Sequence, residues 1–337
     1  MELWQSVQKT NEFHAVPVAG HKFFMPQRCR YDAAMRFLDS QATAECLPWP
    51  ALLAELQAAC REHREGRVHS PERMHLPLPE GGTLLVMPAL SATLSITKLV
   101  TVHPGNRASG RPTITGEVLV MDSRTGERLM QLDGPTVTAR RTAAVSLLAL
   151  HYLAAAAPQR ALIVGTGVQA EAHAQALSSL QPQARLWVQG RDTAGSQRFS
   201  ERLQMQGVAA TPLPPSAQDS ERWDLVLAAT SSHTPVLRPG VGSGALVIGV
   251  GAFRRDMVEL PAALLLDAEV FVDDLPGAHA EAGDLIAAGL TPDWPTLEDL
   301  VLGQVSPDPQ RTRVFKSVGC ARWDLAAACV AARSFQA

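Results

Sequence analysis

The sequence predicts an α/β chain in two domains, one built on a doubly wound parallel sheet and the other an α+β unit. Three observations carry this expectation. The 337 residues exceed the ~250–300 at which a single hydrophobic core stops growing. Residues 160–275 alternate strand-like and helix-like segments, which is the pattern of a parallel sheet with crossover helices. Residues 83–133 instead hold successive β-branched runs separated by turn signals, as an antiparallel sheet would.

The elements follow in chain order. Residues 1–27 carry too little pattern for an assignment and read as a loosely ordered extension. LPWPALLAELQAACREHREG, 47–66, has leucines and alanines at helical spacing opposite a polar face, so it should be an amphipathic helix covering the antiparallel sheet. TLLVMPAL, ITKLVTV and TGEVLVMDSRTGERLMQLDG supply the strands of that sheet, with DSRTGE as a turn between two of them. TARRTAAVSLLALHYLAAAA, 138–157, is a second long helix that Pro158 should stop, and the domain junction is expected near its start. The alternating run then begins with RALIVG and continues through VQAEAHAQALSSL, RLWVQGR, GSQRFSERLQMQG, DLVLAAT, ALVIGVG and EVFVDDL.

Composition excludes several classes of function. With 46% apolar and 19% charged residues and a net charge of -3, the chain has ample material for buried cores and nothing to attract nucleic acid. Its five cysteines lack CxxC spacing, which argues against a disulfide framework and a zinc site and fits a reducing cytoplasm. The N-terminus lacks the basic-then-apolar pattern of a secretion signal. The longest apolar run, VSLLALHYLAAAA, is too short to span a membrane.

The most informative stretch is RALIVGTGVQAEAHAQAL. Gly165 permits a tight turn after the strand, Gly167 lets the backbone approach a pyrophosphate, and Ala170 stands at the third small position, where helix packs on strand. Around them Thr166, Val168 and Gln169 complete a candidate dinucleotide cradle at a helix N-terminus, whose free N–H groups favour phosphate. The second strand ends in Gly190-Arg191 rather than in an acidic residue. That favours NADPH over NADH, with Arg191 clamping the 2′-phosphate, although Asp192 beside it blurs the signal. Thr230 after DLVLAA and the turn at Val250 and Gly251 should line the cofactor, because ligands sit beyond the carboxyl ends of such strands.

From about residue 67 onward the chain resembles the ornithine cyclodeaminase/mu-crystallin family. The resemblance rests on SPERMHLPLPEGGTLLVMPAL, TKLVTVHPGN, TGEVLVMDSRTGERLMQLDG, TARRTAAVSLLALHYLA, LIVGTGVQA, FVDDLPGAHAEAGDL and VFKSVGCARWDLAAA. It implies a homodimer and a Rossmann domain, 137–313, inserted into a substrate-binding and dimerisation domain of 1–136 completed by 314–337. It also implies that Arg73, Lys98 and Arg141 bind the carboxylate of an amino or imino acid. Chemistry agrees, because a guanidinium holds a planar carboxylate bidentately and an ammonium adds a point charge and mobile protons. Lys98 stands out without the resemblance, since an ammonium in an apolar strand is costly to bury unpaired. Of the adjacent pair, Arg141 should face the cleft, leaving Arg140 solvated or at an interface.

The chain departs from the family at VGAFRRDMVELP. Where cyclodeaminating members carry a proton-accepting aspartate, this sequence has Phe253, so oxidative deamination of ornithine loses its base. Asp256 is a displaced alternative. The pattern is similar to members that reduce cyclic ketimines, which implies NAD(P)H-dependent reduction of Δ1-pyrroline-2-carboxylate and Δ1-piperideine-2-carboxylate to L-proline and L-pipecolate. Lys98 is then the catalytic candidate, hydrogen-bonded to the imine nitrogen. Ornithine cyclodeaminase, alanine dehydrogenase and a non-catalytic crystallin-like binding protein are the rivals. His103 and His279 read as structural or loop residues, and His69 and His75 have no metal-ligand spacing.

Overall fold

The computed structural model describes residues 35–335; the expected N-terminal extension at 1–27 lies outside the described residues. The first part of the chain folds as strands β1 (Arg36–Phe37), β2 (Met74–Pro77), β3 (Thr83–Leu90), β4 (Leu94–Val102), β5 (Ile114–Asp122) and β6 (Arg128–Asp133) with helices α1 (Ser40–Glu45), α2 (Trp49–Arg64) and α3 (Gly134–Leu153). The four long strands form the expected antiparallel meander, and the sheet order is β1-β6-β5-β4-β3-β2. The turn between β5 and β6 closes because Asp122 Oδ1 accepts from the N–H groups of Arg124 and Thr125.

The second part alternates β7 (Arg160–Val164), α4 (Val168–Leu180), β8 (Arg185–Gln189), α5 (Thr193–Met205), β9 (Thr211–Pro212), β10 (Leu225–Ala228) and β11 (Leu246–Gly249). It continues through α6 (Ala262–Asp267), β12 (Glu269–Val272), α7 (Leu275–Glu281), α8 (Gly283–Ala287), α9 (Leu297–Val301), β13 (Arg313–Lys316) and α10 (Ala321–Arg333). The seven strands are all parallel, in the order β12-β13-β11-β10-β7-β8-β9. Chain direction across the sheet reverses between β7 and β10, the place where doubly wound sheets open a crevice for ligands. The alternating segments expected from the sequence all appear. β13, inserted between β11 and β12, has no counterpart among those segments. An expected division at 313/314 falls inside this strand, whose whole length pairs in the parallel sheet.

Helix α3 lies between the two sheets. It is buried along most of its length, and its residues share one core with Ile96 and Val118 of the first sheet and Ala161, Ile163 and Leu225 of the second. The intervening residues Leu162, Val164 and Val226 face the opposite side of the parallel sheet, where Trp223 and Trp294 cover them. Both faces are therefore apolar, as a parallel sheet requires.

Two expectations need correction. The helix at 47–66 does not chiefly cover the antiparallel sheet; α3 and α10 do so, and α2 packs outside them against both. The second long helix begins earlier and ends earlier than 138–157. The Asp133 side chain accepts from Thr136 N–H and Pro135 occupies the first turn, which sets the start at Gly134. At the other end Ala154 turns to an extended conformation, so alanines 154–157 form the link into β7 rather than helix.

Candidate active site

The glycine turn lies at the topological reversal. Gly165 has φ of 127°, and a Cβ there would stand 2.3 Å from the carbonyl oxygen of Ala229, so only glycine lets β7 and β10 close together at their carboxyl ends. Gly167 is the N-cap of α4, has open space around its Cα, and provides no side-chain cap. The first N–H groups of the helix, those of Val168, Gln169 and Ala170, therefore face outward without intrahelical partners, and the helix dipole adds positive potential there. Ala170 itself is fully buried against the strand.

A cavity of about 910 Å³ opens in front of this turn, with Gly165, Thr166, Gly167, Arg191, Thr230 and Arg111 among its lining residues. Glycine backbone, helix terminus and cations fit a dinucleotide. The Asp192 carboxylate accepts from Gly195 N–H at 2.6 Å through Oδ1 and caps α5. Arg191 is exposed beside it. Val250 and Gly251 do not line the cavity but hold its floor. Buried Glu259 accepts from the N–H groups of Thr230 (2.5 Å), Gly251 (2.6 Å) and Ala252 (2.9 Å), tying the two loops together. A Cβ at Gly251 would stand 1.8 Å from the Thr230 carbonyl oxygen. Burial pushes the Glu259 carboxyl up, and the Lys316 ammonium, itself paired with Asp284 at 2.7 Å, opposes that rise. Arg111 enters from the β4–β5 connection; one arginine in a polar loop gives no sequence signal of such a position.

The three cations expected at the substrate carboxylate come together around Asp324 and residues 318–319. Lys98 sits on the core-facing row of β4 with Leu94, Ile96 and Val100, and is 2% exposed. Its Nζ donates to Asp324 Oδ1 at 3.0 Å, and Arg141 Nε of α3 donates to the same oxygen at 3.1 Å. Asp324, in the first turn of α10, is wholly buried, and its Oδ2 has no hydrogen-bond partner among the described residues. Burial alone would raise its carboxyl, but Lys98 and Arg141 outweigh it and hold Asp324 below the usual carboxylate range. Burial likewise drives Lys98, lowering the ammonium to about 8, with Arg141 and Arg73 assisting and Asp324 opposing. Two cations share one anion, so the cluster keeps a net positive charge that a substrate carboxylate would neutralise.

Arg73 joins the cluster through the backbone of residues 318–319. Its Nη2 donates to the carbonyl oxygens of Val318 (3.2 Å) and Gly319, while the Arg141 guanidinium lies against the other side of Gly319. Arg73 Nε also pairs with Glu281 at 3.4 Å, and Glu281 in turn meets His75 Nε2 at 3.1 Å. Arg73, Gly319 and Phe253 line one cavity of about 480 Å³. Asp256 lines it too, but its carboxylate is exposed and forked onto Arg254 at 2.9 and 2.7 Å, which holds it below the usual range. Arg140, expected to be solvated or at an interface, is half-buried, with Nε on the Leu47 carbonyl and its guanidinium 4.0 Å over the Trp49 ring.

Asp324 falls within VFKSVGCARWDLAAA, one of the segments that carry the resemblance, yet no local pattern marks it as a site residue: it is one acid in a helix, ARWDLAAACVAAR, with no polar stripe around it. The histidines have local partners: His279 Nε2 meets the Pro292 carbonyl at 3.1 Å, His103 packs on Gly82, and the His69 backbone pairs with Leu90. Among the described residues no helix is long and apolar enough to cross a membrane.

Comparison with known proteins adds the following. The family model described as ornithine cyclodeaminase/mu-crystallin family matches residues 36–335. A protein of Azospirillum brasilense named Δ1-pyrroline-2-carboxylate/Δ1-piperideine-2-carboxylate reductase is 45% identical over 297 residues, covering 88% of this chain and 94% of that protein. A Δ1-pyrroline-2-carboxylate reductase 2 of Burkholderia ambifaria is 44% identical over 298 residues, with the same coverage of 88% and 94%. Among solved structures, Thermococcus litoralis Δ1-pyrroline-2-carboxylate reductase in complex with NADH and L-proline superposes with a TM-score of 0.82 at 25% identity, over 90% of this chain and 98% of that one.

Proposed function

Since the chain belongs to the ornithine cyclodeaminase/mu-crystallin family, we propose that it is an NAD(P)H-dependent reductase of cyclic ketimines, converting Δ1-pyrroline-2-carboxylate to L-proline and Δ1-piperideine-2-carboxylate to L-pipecolate. The observation that carries this reading is the buried Lys98–Asp324–Arg141 cluster, cationic by one charge, beside a cavity where Phe253 replaces a base. An imine is already unsaturated, so its reduction needs a carboxylate clamp, a proton and a hydride, and no group to deprotonate an amine. The names of the Azospirillum and Burkholderia relatives support the same substrates.

The chain's own residues do the following. Arg141, with Arg73 across Gly319, holds the ring carboxylate and fixes the C=N carbon within the ~3–3.5 Å of a near-attack pose. Lys98 supplies a proton at the imine nitrogen, its ammonium made acidic by burial. Phe253 presents an apolar face to the ring methylenes and keeps water from the imine, which hydrolysis would open. Gly165–Gly167 and the N-terminus of α4 take the diphosphate of the cofactor, and Glu259 steadies the Thr230 and Gly251 loops at its nicotinamide end. When bound, the reduced nicotinamide supplies the hydride.

Arg191, which lines the cavity while the Asp192 Oδ1 caps α5, supports NADPH as the preferred cofactor. Residues 35–136 with α10 form the substrate and dimerisation domain, and 137–316 the cofactor domain, a division that leaves β13 whole. Met74, Leu76 and Leu90, exposed at the β2–β3 edge of the first sheet, support assembly as a homodimer.

The test is direct. Purified protein given Δ1-pyrroline-2-carboxylate should oxidise NADPH steadily and release L-proline in equal amount. Stoichiometric binding of both ligands with no absorbance change at 340 nm would overturn the enzymatic reading in favour of a binding protein.

A further inference from the structure

The two cations that meet on Asp324 could each have found an anion elsewhere, yet α10 delivers one carboxylate between them. Its Oδ1 takes Lys98 Nζ from β4 and Arg141 Nε from α3, and all three side chains are buried. Arg141 thereby commits its inner nitrogen. The outer pair, Nη1 and Nη2, lies beside Gly319, which itself lines the cavity that Arg73 and Phe253 share. A guanidinium used in this way can present only its two terminal nitrogens to a ligand, an end-on fork matched to one carboxylate.

We propose that Asp324 is a positioning residue of the reduction: by holding Lys98 Nζ and Arg141 Nε on one oxygen, it aims the Arg141 fork at the substrate carboxylate and the Lys98 ammonium at the imine nitrogen. The inference rests on the ketimine reductase reading and names a group that reading does not require.

Hydride from NAD(P)H forms the C–H bond at the C=N carbon, the π pair moves to nitrogen, and nitrogen takes one proton from Lys98. The products are the secondary amine, the oxidised cofactor and a neutral lysine, which solvent reprotonates. Lys98 must therefore start protonated in a site that disfavours its charge. The charged groups facing it are Arg141 from α3, Arg73 from the segment before β2 and Asp324 from α10; its neighbours on the inward row of β4 are apolar. Asp324 alone among these favours the ammonium. Its unpartnered Oδ2, buried in the same place, is free to accept a second proton-bearing group when the substrate enters.

The experiment compares pH profiles of kcat/KM for Δ1-pyrroline-2-carboxylate in the wild type, D324N and D324E, with NADPH affinity measured alongside by nicotinamide fluorescence. In D324N the alkaline limb should move about one pH unit or more toward acid, because the opposing positive charges are no longer balanced, while the NADPH Kd stays within about twofold. In D324E the charge remains and the limb should stay in place, but the displaced oxygen misdirects Arg141 and the ketimine KM should rise about tenfold. A wild-type limb position in folded D324N would overturn the proposal. So would wild-type KM in D324E, which decides the matter alone if D324N does not fold. Wild-type protein that reduces no ketimine would overturn the functional reading itself, an outcome distinct from both.

Discussion

The Arg141 guanidinium occupies the space that a side chain at position 319 would need: a Cβ on Gly319 would stand 2.7 Å from Nη1 and 2.8 Å from Nη2. Gly319 also has φ of 78°, which L side chains rarely adopt. Gly319→Ala should therefore cost about 1 kcal/mol or more in backbone strain and push the guanidinium off its seat. The expected result is a ketimine KM raised at least about tenfold, with NADPH binding unchanged. Arg141→Lys should be similarly damaging, since the charge survives but the fork does not. Steady-state kinetics of the two variants check both, and wild-type KM in either would remove Arg141 from the carboxylate.

Arg191→Ala should raise the Michaelis constant for NADPH far more than that for NADH. Only the former loses a charge-assisted phosphate contact, worth roughly 1.5–3 kcal/mol or about 10- to 150-fold. Parallel titrations with the two cofactors measure it. Equal effects would mean that Arg191 touches nothing specific to the 2′-phosphate.

Phe253 decides the direction of use. A phenyl ring accepts no proton, and Asp256 is held on Arg254 with its carboxylate in solvent. Incubation with L-ornithine and NAD+ should release no ammonia, and detection of ammonia with proline in equal amount would show that another base has taken the role.

The alkaline side of the pH profile follows from Lys98. A proton donor works only while protonated, so kcat/KM should be flat below about 8, the value to which burial lowers this ammonium, and fall about tenfold per pH unit above it. An unperturbed lysine would hold its activity beyond pH 10. A limb there would show that burial does not lower the Lys98 ammonium.

Glu259→Gln tests the loop clamp. The carboxylate accepts three backbone N–H groups with two oxygens, and an amide has only one oxygen to offer. Loss of about 1–3 kcal/mol of stability is expected, together with weaker binding of NADPH and NADH alike. Thermal melts with and without cofactor separate the two effects.

Much of this architecture could be read in advance because its signals are local. Strand-helix alternation, the glycine turn and an ammonium in an apolar strand each lie within a few residues of one another. Asp324 could not be read that way, since its partners are 226 and 183 residues distant and its meaning exists only once three elements meet. The end of α3 escaped for a different reason: a run of alanines looks helical by propensity, but the chain must straighten there to enter β7. β13 is four residues long and carries an arginine and a lysine at its ends, so hydrophobic runs do not reveal it.

Helix α3 is fastened to the parallel sheet at two places. Near its start Arg141 rests on Gly319, just past the carboxyl end of β13; at its finish the Leu153 carbonyl takes Arg313 Nη1, at 2.8 Å, from the beginning of that strand. The two fastenings are about 18 Å apart along the helix. The first fastening is the one the site shares: the guanidinium that ties α3 to the end of β13 is also the one held on Asp324, so a change at Gly319 is felt by helix, sheet and carboxylate together.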